Sequence, residues 1–259
     1  MENKALAEEV VQIAREAGAA IMAIYGREDF DVELKADESP LTIADKTAND
    51  LICEKLEQLS VQYPIISEEN KEVPFETRRH YDYHWLVDPL DGTKEFIKRN
   101  GEFTVNIALI HKGDPVLGVV HVPCFNETYW GVKGEGAFLE QGGSTTPLQA
   151  PSFQMTDKKL GVVCSRSHLN EATQSFVDQL DEPSLVPKGS SLKFLLIAKG
   201  EAHIYPRLGP TMEWDTAAAQ AVLEQAGGRV INEQTKAPLK YNKENLLNPH
   251  FVAYGRVGG

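Results

Sequence analysis

An α+β first half leading into an α/β second half is the fold class this sequence predicts, and three patterns predict it. Before residue 60 the apolar residues recur at intervals of three and four, the helical period. From Phe103 the period drops to two, as in an antiparallel meander. Beyond residue 156 strand-like and helix-like runs alternate, which is the pattern of an α/β layer. At 259 residues the chain is long enough for one large domain or two packed ones, and a protein of this size buries about three quarters of its unfolded surface.

Leu6, Val10, Ile13, Ala17, Ile21 and Ile24 form one apolar stripe, so a helix is expected from Leu6 to Tyr25 with Gly26 as its stop. A polar link (29–40) leads to Thr42-Ile-Ala-Asp45, the start of a second helix with Ala48, Ile52, Leu56 and Leu59 on one face. Thr42 and Asp45 have capping-box spacing, with Asp in place of Glu or Gln. A structural role for Asp45 therefore stands beside a functional one. Tyr63-Pro-Ile-Ile-Ser is a short strand that runs into Glu68 and Glu69, and Trp85-Leu-Val is a buried strand that runs into Asp88. Two neighbouring strands would thus deliver Glu68 and Asp88 to one point.

Phe103, Val105, Ile107 and Leu109 alternate; Lys112-Gly-Asp-Pro115 turns; strands are expected again over 116–122, 128–132 and 137–140. Gly131, Gly134 and Gly136 lie between strands and read as hairpin glycines, without the spacing of a dinucleotide fingerprint. The Gly-, Ser-, Thr- and Pro-rich segment 141–156 is the expected boundary, which divides the chain into 1–154, carrying the meander and most of the acidic motifs, and 155–259. In the second part strands are expected near 160–164, 185, 202–205, 229–231 and 251–254, with helices near 170–180, 192–199 and 216–226.

The chemistry concentrates in Asp88-Pro-Leu-Asp91-Gly-Thr93. Pro89 lacks an N–H for a sheet ladder, so the strand is expected to stop in a rigid turn, and Gly92 admits backbone conformations closed to other residues. Thr93 to Ile97 reads as a first helical turn, whose free N–H groups favour an anion. Two hard carboxylates beside an anion cradle suit a metal-dependent phosphate site. One Asp would suffice for a cap; the second is left over. The spacing also separates this motif from Asp-x-Asp-Gly-Thr, in which the first Asp is a covalent nucleophile.

Three later features bear on the site. Ser165-Arg166-Ser-His168 follows a buried strand, where loops carry binding groups. Gly189-Ser190-Ser191 precedes a helix that contains Lys193 and forms a candidate anion site, with simple capping by the serines as the alternative. Asp215 either caps the helix that follows Glu213-Trp214 or carries a third carboxylate into a cleft between the two parts.

A formal net charge of −12 speaks against nucleic-acid polymers and anionic membranes as partners. It does not exclude a small anionic substrate held by metal ions and local cations. Cys53, Cys124 and Cys164 are an odd set without a Cys-x-x-Cys pair and read as reduced core residues of a cytoplasmic protein. No apolar run approaches the length of a transmembrane segment, and no signal segment is read at the start.

Ser67-Glu68-Glu69, Asp88-Pro-Leu-Asp91-Gly-Thr93 and Trp214-Asp215-Thr-Ala-Ala218, in this order, resemble the three signatures of the inositol monophosphatase superfamily of lithium-sensitive phosphatases. Lys94-Glu95-Phe96, Gly189-Ser-Ser-Leu-Lys193 and Tyr205-Pro-Arg207 resemble its bacterial 3'(2'),5'-bisphosphate nucleotidase branch. The resemblance implies a layered αβαβα sandwich of two tightly packed subdomains. It also implies two or three Mg²⁺ ions held by Glu68, Asp88, Asp91, Asp215 and the carbonyl of Leu90. Asp45, Thr93 and Glu68 become catalytic residues, with Asp45 polarising Thr93 beside the attacking water. The implied substrate is adenosine 3',5'-bisphosphate, cleaved to AMP and phosphate in sulfur assimilation and nucleotide recycling. 3'-Phosphoadenosine 5'-phosphosulfate is an implied second substrate. Gly92 and Thr93 would hold the reacting phosphate, Lys193 and Arg207 the remote one, and Ser165, Arg166 and His168 the nucleoside, with Asp91, Gly189, Ser190, Ser191 and Asp215 as further substrate-binding residues. An inositol or sugar phosphatase with the same metal site is the alternative enzyme, and a nucleotide or metal sensor the alternative outside catalysis. A homodimer, and peripheral association with the inner membrane, are further expectations at the level of the family.

Overall fold

The computed structural model of the chain describes residues 2–27, 32–34, 40–70, 72–165 and 169–258. The first half opens with helix α1 (Glu2–Tyr25), a hairpin of β1 (Val32–Leu34) and β2 (Pro40–Thr42), and helix α2 (Ile43–Glu57). Strand β3 (Ile65–Ser67), short helix α3 (Phe75–Arg78), strand β4 (Tyr83–Asp91) and short helix α4 (Thr93–Ile97) follow. The meander runs through β5 (Thr104–His111), β6 (Asp114–Val122), β7 (Glu127–Val132), β8 (Gly136–Gln141) and β9 (Ser144–Pro147). With β3 and β4 these strands make one seven-stranded sheet in sequence order.

The second half begins with β10 (Ser152–Phe153), β11 (Gly161–Cys164), α5 (Glu171–Val177), β12 (Ser184–Pro187) and α6 (Leu192–Ala198). It continues with β13 (Ile204–Arg207), α7 (Ala217–Gln225), β14 (Arg229–Asn232), β15 (Phe251–Tyr254) and β16 (Arg256–Val257). Five strands form a mixed sheet in the order β12-β11-β13-β15-β14, and β10 pairs with β16.

Side chains alternate across a strand, and β4 is buried on both faces, which is why it reads as a continuous apolar run. Trp85 and Val87 join Val105, Ile107 and Leu109 against Val10, Ala17 and Ile21 of α1 and Ile52 of α2. Leu86, Ala108 and Val120 face the other way, onto α6, α7 and the inner side of the second sheet through Leu195, Val222, Val163 and Phe251. Phe176 of α5 packs with Ile204 and Val252 on the outer side of that sheet. The order helix, sheet, helix, sheet, helix is the layered αβαβα sandwich. No described helix is long and apolar enough to cross a membrane.

The structure departs from four expectations. Strand β4 does not stop at Asp88 but continues to Asp91, and the register against β5 shifts between these residues. The bulge accommodates the N–H that Pro89 lacks. The meander also runs on through β9, inside the segment read as a boundary. Gly131 is not a hairpin glycine: it lies within β7, where an added Cβ would sit 2.9 Å from the Ala221 carbonyl oxygen. Gly118 on β6 is closer still, at 2.2 Å from the Ala218 carbonyl oxygen. Alanine-rich α7 seats directly on these two glycines, and that seat fixes the helix that follows Asp215. Cys53 and Cys124 are half-buried, not core; Cys53 touches the amides of Asn49 and Asn70.

Candidate active site

Strands β3 and β4 pair in parallel with Ser67 opposite Val87, and the Glu68 N–H donates to the Val87 carbonyl at 3.1 Å. Glu68 and Asp88 therefore leave the sheet at one level. Asp215 arrives from the turn before α7. One carboxylate oxygen from each of Glu68, Asp88 and Asp215 lies within 4.8 Å of the others. Asp215 does not cap α7: Thr216 occupies the cap position without a side-chain capping bond, and Asp215 Oδ2 accepts the Met212 N–H at 2.9 Å. The third carboxylate thus serves the cleft.

Asp45 performs both roles that its sequence context allows. Its Oδ2 accepts from the Thr42 N–H at 2.8 Å and the Thr42 hydroxyl at 2.6 Å, completing the capping box of α2. Its Oδ1 accepts the Thr93 hydroxyl at 3.1 Å. Gly92 precedes α4 at φ +97°, and a Cβ there would lie 3.0 Å from the Glu102 carbonyl oxygen, so only glycine brings Thr93 to this place.

Asp91 turns toward the second half. Its Oδ2 accepts the Ser190 hydroxyl at 2.7 Å and the Ser191 N–H at 2.6 Å. Neither serine caps α6 with its side chain: both hydroxyls meet Thr104 Oγ1, at 2.7 and 2.8 Å. Gly189 donates its N–H to Glu102 at 2.9 Å. Lys193 is buried, donates to the Ser190 carbonyl at 2.8 Å and lies 5.5 Å from the centre of the Tyr205 ring.

Two cavities meet across this seam. One of about 290 Å³ is lined by Glu68, Asp88, Leu90, Asp91, Gly92, Thr93 and Asp215. The other, about 400 Å³, shares Asp91, Gly92, Lys94, Glu95 and Asp215 with it and adds Lys98, Lys188, Lys193 and Arg207, with Glu102 beside Lys188 at 3.4 Å. Ser165 lines the second cavity as well, whereas Arg166 and His168 lie outside the described residues. Sequence reasoning gave no site role to Lys94, Lys98 or Lys188. The spacing of Lys94 and Lys98 just after Asp-Gly-Thr was the available signal, since residues four apart share a helix face. Asn49 was missed too: it accepts the Ser67 hydroxyl at 2.6 Å and donates to Asn70 at 3.0 Å, bracketing the turn that holds Glu68.

The electrostatics are those of a cation site. Burial, reinforced by Glu68, Asp91, Asp215 and Asp45, holds Asp88 well above the ordinary carboxylate range. Burial and then Asp91 push Asp215 up to about 8, partly offset by the Met212 N–H. Crowded buried carboxylates are unfavourable unless protons or a cation neutralise them. Hard oxygen donors at this spacing suit a divalent ion, so the residues present fit a metal. On the other side burial lowers Lys193 to about 8, with Asp91 opposing it.

A model of the inositol monophosphatase family matches residues 2–255. The 3'(2'),5'-bisphosphate nucleotidase CysQ of Escherichia coli (strain K12) is 48% identical over 246 residues, which is 94% of this chain and 97% of that protein. The enzyme of the same name from Haemophilus influenzae is 37% identical over 98% of this chain and 94% of its own. The crystal structure of CysQ from Bacteroides thetaiotaomicron superimposes with a TM-score of 0.87 at 40% identity, covering 98% of each chain. Inositol monophosphatase from Anabaena shares the fold, with a TM-score of 0.77 at 23% identity over 99% of this chain and 92% of its own.

Proposed function

The chain belongs to the inositol monophosphatase family of metal-dependent phosphatases, and from that premise we propose that it is a Mg²⁺-dependent 3'(2'),5'-bisphosphate nucleotidase. It hydrolyses the 3'-phosphate of adenosine 3',5'-bisphosphate to AMP and phosphate, and 3'-phosphoadenosine 5'-phosphosulfate fits the same site. The similarity to proteins named for this activity supports the reading. The observation that carries it is the seam itself: a carboxylate cleft opening directly into a cavity where five cationic side chains gather beside Glu95 and Glu102, in a chain of net charge −12. A substrate with one phosphate needs only the first cavity. Two separated phosphates use both.

Glu68, Asp88, Asp91, Asp215 and the Leu90 carbonyl would hold divalent cations, which would supply Lewis-acid charge for the phosphoryl oxygens and for water activation. The protein's own groups do the rest. Because the Thr93 proton points at Asp45, the Thr93 oxygen is left to accept from the attacking water and aim its lone pair at phosphorus. Asp45 draws the displaced proton in the same direction. The Gly92 and Thr93 N–H groups hold non-bridging oxygens, and no covalent intermediate is needed. At the far end Arg207 has its Nε buried without a hydrogen-bond partner among the described residues, and Lys193 sits beside it. An anion there satisfies one and stabilises the charge of the other.

Replacing Lys193 by Met, which fills the buried volume, is the test of this assignment. A lost charge-assisted hydrogen bond is expected to lower kcat/KM for adenosine 3',5'-bisphosphate about 10- to 100-fold. Turnover of inositol 1-phosphate is expected to change less than about threefold. An equal loss on both substrates would remove Lys193 from remote phosphate binding.

A further inference from the structure

The turn 211–216 that aims Asp215 belongs to neither sheet. Its scaffold is the irregular segment 240–248: the Glu213 N–H donates to the Leu246 carbonyl at 2.9 Å and the Asn248 N–H to the Thr211 carbonyl at 2.8 Å. Asn248 also donates its side-chain amide to the Met212 carbonyl at 2.7 Å, and Met212 bridges Leu247. Irregular backbone of this kind holds a side chain steady only if it is itself held.

Two fully buried ions hold it. Glu213, 0% exposed, accepts the N–H groups of Asn242 at 2.6 Å and Lys243 at 3.0 Å and pairs with the Lys243 ammonium. Arg78, 1% exposed, comes from α3 in the other half of the chain. Its guanidinium donates to Asn242 Oδ1 at 3.0 Å, to the Lys243 carbonyl and to the Glu244 carbonyl at 2.6 Å. Asn242 answers by donating to the Arg78 carbonyl at 2.8 Å. The helix that presents Arg78 lies between β3, which leads to Glu68, and β4, which carries Asp88.

We infer that Arg78, the 242–244 segment and Glu213 form a clamp that registers Asp215 against Glu68 and Asp88, making Arg78 and Glu213 positioning residues for the metal. The burial argues for this. A guanidinium buried among backbone carbonyls is expensive to desolvate, and apolar residues would pack the same space without that cost. What the planar fork supplies is fixed geometry toward four acceptors at once, the three above and the Val73 carbonyl of its own half at 3.2 Å. The chain thereby ties the peptide between two carboxylates of one half to the turn holding the carboxylate of the other. Loss of a group that orients a metal ligand from behind typically costs about 10- to 100-fold in metal affinity.

The inference rests on the metal reading above, and calorimetric titration of the metal-free protein with Mg²⁺ tests the two separately. Asn242 has φ +63°, a backbone state that glycine adopts freely. Asn242→Gly therefore keeps the N–H to Glu213 and removes only the side-chain bonds to Arg78. It is expected to weaken Mg²⁺ binding about tenfold and Arg78→Met up to about 100-fold, with turnover recovering at saturating Mg²⁺. Thermal unfolding in chelator should leave Asn242→Gly close to wild type; if Arg78→Met does not fold, Asn242→Gly decides alone. Unchanged Mg²⁺ affinity in Asn242→Gly overturns the clamp. A wild-type protein that binds no Mg²⁺ overturns the metal reading and the clamp with it.

Discussion

Asp91→Asn lowers turnover of adenosine 3',5'-bisphosphate about 10³-fold or more, the expected cost of removing one anionic donor from a site whose charge stabilisation is worth several kcal/mol. The substitution is nearly isosteric, and the amide oxygen can still accept from Ser190 and Ser191, so the loss reports charge and not collapse. A second readout runs opposite to the first. In the metal-free protein Asp88 and Asp215 bind protons more tightly than in the unfolded chain, because both are raised by burial and by Asp91. Stability contributed by their protonation is present below the unfolded value of 3.8 and is lost as pH rises, for Asp215 toward about 8. Buried His84 and His121, lowered to about 4, act in the opposite sense up to 6.5. Between pH 6.5 and 8 the carboxylates therefore dominate. Unfolding in chelator should show wild-type stability falling over this window and Asp91→Asn falling less. Near-normal turnover, or an unaltered pH slope, contradicts the role given to Asp91.

Asp45→Asn is the second large effect, a loss of about 10²- to 10⁴-fold in kcat with KM little changed. The reason is the direction of one hydrogen bond. Asp45 now accepts from Thr42 with one oxygen and from Thr93 with the other. An asparagine that keeps its oxygen toward Thr42 must turn its NH₂ toward Thr93. Thr93 then becomes the acceptor, its proton swings away, and its lone pairs are no longer free for water. The cap of α2 survives, so melting temperature should hold while turnover falls. A parallel loss of both would reduce Asp45 to a helix cap.

The pair of readings open for Asp45 shows what a sequence can and cannot reveal. Thr42 lies three residues away, so the cap is written locally; Thr93 lies 48 residues away, and only the fold joins them. Glu68 and Asp88 were legible because each ends an apolar run, and parallel neighbours with matched register bring such ends together. Gly131 was misread because a strand glycine beneath a helix and a hairpin glycine look alike without the partner helix. For the Gly-Ser-Ser segment, read as a candidate anion site with capping as the alternative, the structure replaces the cap with contacts to Asp91 and Thr104. Arg78 and Glu213 left no signal at all, since their partners are backbone carbonyls and N–H groups of an irregular segment that carries no periodicity.

If the carboxylate cleft and the cationic cavity act as one bisphosphate site, the choice among phosphorylated substrates reports it. Phosphate release by the wild-type protein, compared across adenosine 3',5'-bisphosphate, inositol 1-phosphate and fructose 1,6-bisphosphate with Mg²⁺ and with chelator, tests it most directly. The expected result is a preference for adenosine 3',5'-bisphosphate of about 10²-fold or more in kcat/KM, abolished by chelator. Faster turnover of inositol 1-phosphate, release that survives chelation, or no turnover of any of the three would contradict it.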